Sequence, residues 1–299
     1  MPRKIVYLVN PISGTQAKSS LEELLAEKTR EQNIEFEILQ TPADRDYRFL
    51  TKKILSEMIT DVVICGGDGT INSVASALRE IQVNLGIVPM GSGNGLAFAA
   101  KIPKNVIKAL AIIFQGKSSF IDAFYINNQF SCMLCGIGFD ALVAQEFAKQ
   151  ERRGLQTYIK VSATQFFKAR PYVFEIELKE KSFRTEAFFI SIANGNQFGN
   201  HFTIAPKASL KDGLLDIVVV KKMSKFILPF SVIGQMAGIN VIRNIGDPIE
   251  KRNIMYFRTD ALTIRNTELA PLHIDGDPSE TASEFKIGII RDGLCLLQP

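Results

Sequence analysis

The first third of the chain alternates short apolar runs with amphipathic segments. Ser20 and Glu23 have the spacing of a capping box, which predicts a helix from Ser20 to about Glu31. One strand-helix unit then takes about thirty residues, and its repetition predicts a parallel sheet covered by helices. The runs that we predict to be strands of this sheet are Lys4 to Asn10, Ile34 to Gln40, Asp61 to Cys65 and Asn84 to Val88.

After about residue 120 the pattern changes to strand-like runs separated by turns. Helical patterns interrupt it around Asp140 to Gln150 and from Ser224 to about Asn240. The strand-like runs are Phe120 to Phe130, Tyr172 to Leu178, Phe183 to Ala193, Leu214 to Val220, Asn253 to Ile264 and Phe285 to Leu297. We therefore predict an α/β plus all-β protein, with an α/β domain over residues 1–122 and an antiparallel β-sandwich or barrel over residues 123–285.

Composition and charge exclude several classes of protein. The 299 residues are 46% hydrophobic and carry a net charge of +4, a bias too weak to indicate nucleic-acid binding but compatible with phosphates or an anionic membrane surface. The uncharged stretch from Ile81 to Ala100 contains four glycines and a proline, which argues against a membrane-spanning helix. The chain starts without a signal-peptide pattern, so we expect a cytoplasmic protein with reduced thiols.

A Cys-x-x-Cys pair at Cys132 and Cys135 has the spacing of metal ligands. The chain has no second such pair and only two histidines, and the flanking residues are typical of a strand. Residues three apart on a strand point to opposite faces of the sheet. The sequence therefore argues against zinc at this pair.

Glycine-rich loops at strand ends provide the candidate chemistry, because open α/β sheets bind ligands at the carboxyl ends of their strands. Three lie in the first domain: Asn10-Pro11-Ile12-Ser13-Gly14, Gly66-Gly67-Asp68-Gly69-Thr70 and Gly91-Ser92-Gly93-Asn94-Gly95. Consecutive glycines let backbone N–H groups approach phosphate oxygens, and a helix N-terminus adds partial positive charge. An aspartate within such a turn requires a magnesium ion or a transferred proton as a partner, so Asp68 is a candidate functional residue.

Neither of the common nucleotide fingerprints is present in these loops. The third loop lacks the Lys-Ser/Thr ending of GxxxxGK[ST], and it follows a late strand with a spacing that differs from GxGxxG. Each loop alone is also compatible with an ordinary strand-to-helix turn.

The order and spacing of the three loops together resemble the diacylglycerol kinase catalytic domain family, which includes bacterial lipid kinases, sphingosine kinases and ceramide kinases. The resemblance continues through Ala193-Asn194-Gly195 and the stretch from Phe202 to Asp216. It implies an N-terminal domain like those of NAD kinase and phosphofructokinase, a C-terminal β-sandwich, and a last strand, about residues 286–299, that returns to the first domain. The activity implied is ATP-dependent phosphorylation of a lipid hydroxyl.

The resemblance also assigns roles to individual residues. A structural magnesium ion would be bound by the Asp212 carboxylate and the carbonyl groups of Ser209 and Leu214, an all-oxygen site. Asp277 stands where the family has the glutamate of Asp-Gly-Glu, the base for the acceptor hydroxyl, and its shorter side chain requires a loop movement or an intervening water. Asp68 is the second catalytic residue. The residues assigned to ATP are Asn10, Pro11, Ile12, Ser13, Gly14, Thr41, Gly66, Gly67, Asp68, Gly69, Thr70, Ile71, Asn72 and Ser92.

The lipid is expected in the second domain, near Gly136 to Asp140. Asp140 has two interpretations, contact with the lipid or capping of the next helix, and capping is the more common role of such a residue. The basic and then apolar segment from Lys221 to Phe230 could contact the inner face of a membrane, although such segments are more often core-packed helices. The sequence does not determine the oligomeric state, and a homodimer is one possibility.

Two other functions are compatible with these motifs. NAD kinases share the GGDGT sequence, but their second motif is not visible here. A nucleotide-binding regulatory protein without catalysis would explain an aspartate at position 277.

Overall fold

The computed structural model describes residues 2–11, 18–150, 155–197, 205–224 and 253–299. The chain divides into two compact units. Unit 1 comprises Met1–Ile121 and Asp292–Pro299, and unit 2 comprises Asp122–Arg291. No helix within the described ranges is long and apolar enough to cross a membrane.

Unit 1 is built on a parallel sheet. Its strands are β1 (Lys4–Val9), β2 (Glu35–Gln40), β3 (Asp61–Gly66) and β4 (Asn84–Pro89), which lie side by side in the order β2-β1-β3-β4. Beside β4, Cys295 and Leu296 of the chain's last strand pair in parallel with Asn84 and Leu85. The residues of β3 are all buried, as expected for a parallel strand covered on both faces.

The helices in the described part of unit 1 are α1 (Lys18–Glu31), α2 (Arg48–Glu57), α3 (Asp68–Leu78), α4 (Gly95–Ala99) and α5 (Val106–Gln115). Helix α1 already includes Lys18, so Ser20 lies within the helix and the predicted start at a Ser20 cap was wrong. Helix α5 begins with a capping bond, in which the Lys108 N–H donates to Asn105 Oδ1 over 3.0 Å, and it ends at Gly116 with a φ of 67°.

Unit 2 is mostly antiparallel. Its helices are α6 (Phe139–Ala148) and α7 (Leu155–Lys168). Its strands, of which the first and last extend into unit 1, are β5 (Ser118–Ile126), β6 (Gln129–Ser131), β7 (Leu134–Gly138), β8 (Tyr172–Glu177), β9 (Ser182–Ala193), β10 (Leu215–Lys221), β11 (Ile254–Thr259), β12 (Ala261–Arg265), β13 (Leu272–Ile274), β14 (Asp277–Ser279) and β15 (Glu284–Leu297).

Strand β9 pairs with three other strands of unit 2. Its first half pairs with β8, and its second half lies between β7 and β10. The apolar side chains of these strands form one buried cluster that includes Phe174, Ile190 and Ile217. The parallel strands of unit 1 and the antiparallel strands of unit 2 confirm the predicted fold class.

The predicted elements of unit 2 need three corrections. Phe120 to Phe130 is a hairpin, because Asn127 turns the chain with a φ of 52°. Asn253 to Ile264 is two strands that separate at Asp260. Helix α7 was not predicted. The predicted helix from Ser224 to about Asn240 and the segment from Lys225 to Phe230 lie outside the described residues.

Candidate functional site

The second and third glycine-rich loops of unit 1 meet at the carboxyl ends of β3 and β4, and Asn10, the first residue of the first loop, joins them from the end of β1. The backbone N–H of Asn10 donates to the Cys65 carbonyl over 3.0 Å, and the N–H of Met90 donates to the Gly66 carbonyl over 2.9 Å. The side-chain amide of Asn10 donates to Thr70 Oγ1 over 2.8 Å. Asn10 and the third loop are therefore both joined to the second loop.

The second and third loops approach so closely that only glycine fits where they touch. A Cβ atom on Gly91 would lie 2.6 Å from the Cα of Gly67, and one on Gly67 would lie 3.1 Å from the Cα of Gly91. Asn94, in the left-handed conformation with a φ of 55°, holds the third loop closed. Its Oδ1 accepts the Gly91 N–H and its Nδ2 donates to the Gly91 carbonyl, each over 2.8 Å.

Asp68 connects these loops from the first turn of α3. The half-buried Asp68 accepts, through Oδ1, the backbone N–H of Leu96 at 3.3 Å. Loss of solvent raises the pKa of the Asp68 carboxyl, and the N–H groups of Gly95, Leu96 and Asn94 oppose that rise because they favour the carboxylate. Asp68 therefore connects the second loop to the start of α4 by a hydrogen bond that the sequence motif did not predict.

Thr41 lies beside the first loop, at the end of β2. Its N–H donates to the Val9 carbonyl over 3.0 Å, and its side chain hydrogen-bonds Tyr47. The remaining residues predicted to bind ATP differ in exposure: Ser92 is exposed, Pro11, Gly69 and Asn72 are half-buried, and Thr70 and Ile71 are buried. Ile12, Ser13 and Gly14 lie outside the described residues.

In unit 2, the turn between β13 and β14 carries the predicted base. Asp277 is exposed at the start of β14, where it pairs with Ile274. Asp275 is buried, has a φ of 48°, and accepts hydrogen bonds from Ser131 Oγ and the Leu134 N–H, both at 2.8 Å. The turn therefore uses its first carboxylate as an anchor and presents its second carboxylate to solvent.

The predicted magnesium ligands lie on the turn before β10. The N–H of Leu214 donates to Asp212 Oδ1 over 3.2 Å, and the Arg258 guanidinium on β11 contacts Asp212 Oδ2. The hydroxyl of Ser209 accepts the Lys211 N–H at 3.3 Å. Both carboxylate oxygens of Asp212 are thus already engaged.

Comparisons with known proteins identify two domains in the chain. The model of the "diacylglycerol kinase catalytic domain" matches residues 4–126, and that of the "YegS C-terminal NAD kinase beta sandwich-like domain" matches residues 134–285. The chain belongs to the diacylglycerol kinase catalytic domain family. The predicted resemblance is therefore confirmed, and family membership makes the chain a phosphotransferase of a kinase family, with ATP as the implied donor.

Individual relatives cover most of the chain at modest identity. A diacylglycerol kinase of Bacillus subtilis is 26% identical over 280 residues, which is 92% of this chain and 89% of that protein. A protein of Shewanella frigidimarina named "Probable lipid kinase YegS-like" is 28% identical over 241 residues, 78% of this chain and 75% of its own length. A diacylglycerol kinase structure from Bacillus anthracis has a TM-score of 0.74 at 19% identity, covers 99% of this chain and 97% of its own, and supports the fold alone.

The residues around Asp212 do not fit a magnesium ion in the arrangement described here. Magnesium requires oxygen ligands in near-octahedral geometry, but one oxygen of Asp212 accepts an N–H and the other meets Arg258. The same guanidinium is 3.6 Å from the carboxylate of Asp216. A bound magnesium ion would have to displace Arg258, so this ligand set stays a prediction.

Three contacts of these sites were not predicted from the sequence. They are the bond from Leu96 to Asp68, the pairing of Arg258 with Asp212, and a contact between Asp140 and the buried His273 at 3.4 Å. Asp140 is the second residue of α6, after Gly138 at the N-cap, so it is not the cap of that helix.

Proposed function

We propose that this protein transfers the γ-phosphoryl group of ATP to the hydroxyl group of a lipid, with diacylglycerol or a sphingoid-like alcohol as the acceptor. The observation that carries the proposal is the set of contacts that joins Asn10, at the end of β1, to the glycine-rich loops after β3 and β4. Relatives named diacylglycerol kinase and YegS-like lipid kinase support a lipid as the acceptor.

In this proposal the loops of unit 1 bind ATP together with magnesium as its counterion. Phosphoryl transfer depends chiefly on positioning the reactants and neutralising charge, which backbone N–H groups and a magnesium ion provide. Asn10 and Thr70, which are hydrogen-bonded to each other, belong to the cradle, as does the exposed hydroxyl of Ser92. Asp68 is the second catalytic residue in this proposal and acts near the phosphates. Its hydrogen bond from the Leu96 N–H holds the carboxylate beside the third loop.

Asp277 is proposed as the base. As the acceptor oxygen forms its bond to phosphorus and the bond to ADP breaks, the hydroxyl proton passes to the Asp277 carboxylate, directly or through a water. Its exposure on the turn after Gly276 supports this role, since a base must reach the proton that it removes. The lipid would bind in unit 2, and the enzyme would work at the cytoplasmic face of a membrane.

The decisive experiment measures transfer from radiolabelled ATP to a panel of acceptors in detergent micelles: diacylglycerol, a sphingoid base, and NAD in solution. We expect labelled lipid, dependent on magnesium, and no labelled NADP. Labelled NADP alone would make the protein an NAD kinase. ATP binding without transfer to any acceptor would favour a regulatory protein.

A further inference from the structure

A buried histidine lies directly behind the turn that carries Asp277. His273 is on β13, where it pairs with Gly136 of β7 on one side and with Pro278 of β14 on the other. The backbone N–H of Gly276 donates to His273 Nδ1 over 3.3 Å. Because Nδ1 accepts this bond, the neutral ring carries its proton on Nε2.

The other ring nitrogen faces a buried carboxylate. His273 Nε2 lies 3.4 Å from Asp140 Oδ2, while Asp140 Oδ1 accepts the Ala141 N–H at 2.9 Å. The pair fits only because residue 136 has no side chain. A Cβ on Gly136 would lie 1.9 Å from Asp140 Oδ2 and 2.5 Å from His273 Nε2.

Cys135 and Tyr158 interact electrostatically with Asp140, and Asp275 interacts with Cys135. Burial raises the pKa of the Cys135 thiol, and the carboxylates of Asp275 and Asp140 raise it further. Burial, with a smaller effect from Asp140, raises the pKa of the Tyr158 hydroxyl to about 12. Cys135 and Tyr158 therefore stay neutral at physiological pH, and the charge beside His273 comes from carboxylates.

The pairing of Ile274 with Asp277 closes the turn formed by Asp275 and Gly276, and two side chains hold the turn residues themselves. Asp275 is the first residue of the turn, and its carboxylate accepts hydrogen bonds from Ser131 and Leu134. Gly276 follows with a φ of 85°, and no atom lies within 4 Å of the place where its Cβ would be. The space on the Cβ side of Gly276 is open and glycine has wide conformational freedom, so a shift of Gly276 would also shift Asp277, the next residue in the chain. The bond from the Gly276 N–H to His273 restricts that motion.

We propose that the pair of Asp140 and His273 positions the Asp277 carboxylate by holding the Gly276 N–H. The proposal rests on the proposed function in one respect, the role of Asp277 as the base. His273 and Asp140 are positioning residues in this account. Displacement of a reacting group by about 1 Å can reduce a rate by about 10²-fold, so a hydrogen bond at this turn is sufficient to affect turnover.

Two substitutions of His273 separate its two bonds. In His273→Asn, the side-chain oxygen takes the place of Nδ1 and can still accept the Gly276 N–H. In His273→Gln, the side-chain nitrogen takes the place of Nε2, which keeps a donor for Asp140 but removes the acceptor for Gly276. The two variants are similar in polarity, and thermal melting verifies that both are folded.

We expect kcat for lipid phosphorylation to fall about tenfold or more in His273→Gln and distinctly less in His273→Asn, with KM for ATP unchanged in both. In protein labelled with ¹⁵N-glycine, the Gly276 amide should exchange with deuterium faster in His273→Gln than in the wild type, and His273→Asn should retain protection.

Amide exchange at Gly276 does not depend on the identity of the acceptor. If the wild type phosphorylates no lipid but the exchange pattern is as expected, the proposed function is wrong and the positioning is upheld. Wild-type exchange at Gly276 in His273→Gln overturns the positioning, and so does an equal loss of kcat in both variants.

Discussion

At the scale of single residues, the two catalytic candidates differ in their surroundings. Asp277 is exposed on a turn held by its neighbour Asp275, whereas Asp68 already accepts a backbone N–H from α4. Because Asp277 is exposed, a substitution of similar shape there should cost little stability. A change at Asp68 would alter both the loop scaffold and the chemistry, so Asp277 gives the cleaner test of catalysis.

Asp277→Asn should reduce kcat by about 10²-fold or more, because asparagine keeps the shape of the side chain and removes the base. The affinity for ATP should stay nearly unchanged, since Asp277 belongs to unit 2 and the ATP loops belong to unit 1. Steady-state kinetics with the lipid acceptor and a separate ATP-binding titration measure the two effects. Asp277→Glu is the matched control and should remain active. Normal turnover by Asp277→Asn would exclude Asp277 as the base.

Some of these residue-level features could be predicted from the sequence and others could not. The loops at Gly66 and Gly91 were identifiable because turn chemistry is local. The contacts of Asp68, Asp140 and Asp212 were not, because their partners lie 28, 133 and 46 residues away along the chain. Local patterns carry no information about such distant partners.

At the scale of elements, the close approach of the second and third loops requires glycine at position 91. Gly91→Ala would place a Cβ 2.6 Å from the Cα of Gly67, where only backbone can yield. We expect the free energy of unfolding to fall by about 1–3 kcal/mol, the usual cost of overpacking, and ATP binding to weaken because the two loops move apart.

Gly288→Ala is the control for this change. No atom lies within 4 Å of a Cβ at Gly288, so denaturant unfolding of this variant should match the wild type. Equal stability of Gly91→Ala and Gly288→Ala would show that the loops can separate at no cost.

Strand β11 offers a test of the predicted magnesium site, because its Arg258 meets Asp212. Removing the guanidinium in Arg258→Gln frees a carboxylate oxygen for a hard cation. The increase in Tm caused by magnesium without ATP should therefore be larger in Arg258→Gln than in the wild type.

Asp212→Ala should lose this magnesium response and retain ATP binding. Thermal melts in magnesium and in EDTA measure it for all three proteins. Identical melts in both buffers, including those of Arg258→Gln, would argue against a magnesium site at this turn.

The sequence predicted the strands of unit 1 better than the elements of unit 2, and the difference has a physical reason. Strands β1 to β4 follow from short apolar runs with clear ends. Helix α7 was missed because it carries β-branched and aromatic residues, Ile159, Val161 and Phe166 among them, which are also common in strands. Asn127 and Asp260 divide segments that were each predicted as one strand, because a turn of one or two residues is short enough to lie inside a strand-like run.

At the scale of the whole molecule, ligand binding should be visible as stability. ATP with magnesium should raise Tm, because a ligand that binds only the native state stabilises it by about 2.7 kcal/mol at a hundred times its Kd. NAD should not, because the loops are expected to hold a triphosphate. Differential scanning fluorimetry with ATP, ADP and NAD measures the effect, and an equal rise with NAD would favour the NAD kinase alternative.

The last strand has a consequence for how the protein is made. Unit 1 contains residues from both ends of the described chain, because Cys295 and Leu296 of β15 pair with β4. During translation, residues 1–121 leave the ribosome long before residues 292–299 have been synthesised. Until then, the edge of β4 that pairs with β15 has no partner strand, and an exposed strand edge favours aggregation. Completion of unit 1 therefore waits for the synthesis of residues 292–299, so a ribosome that stalls within unit 2 leaves unit 1 with this edge exposed.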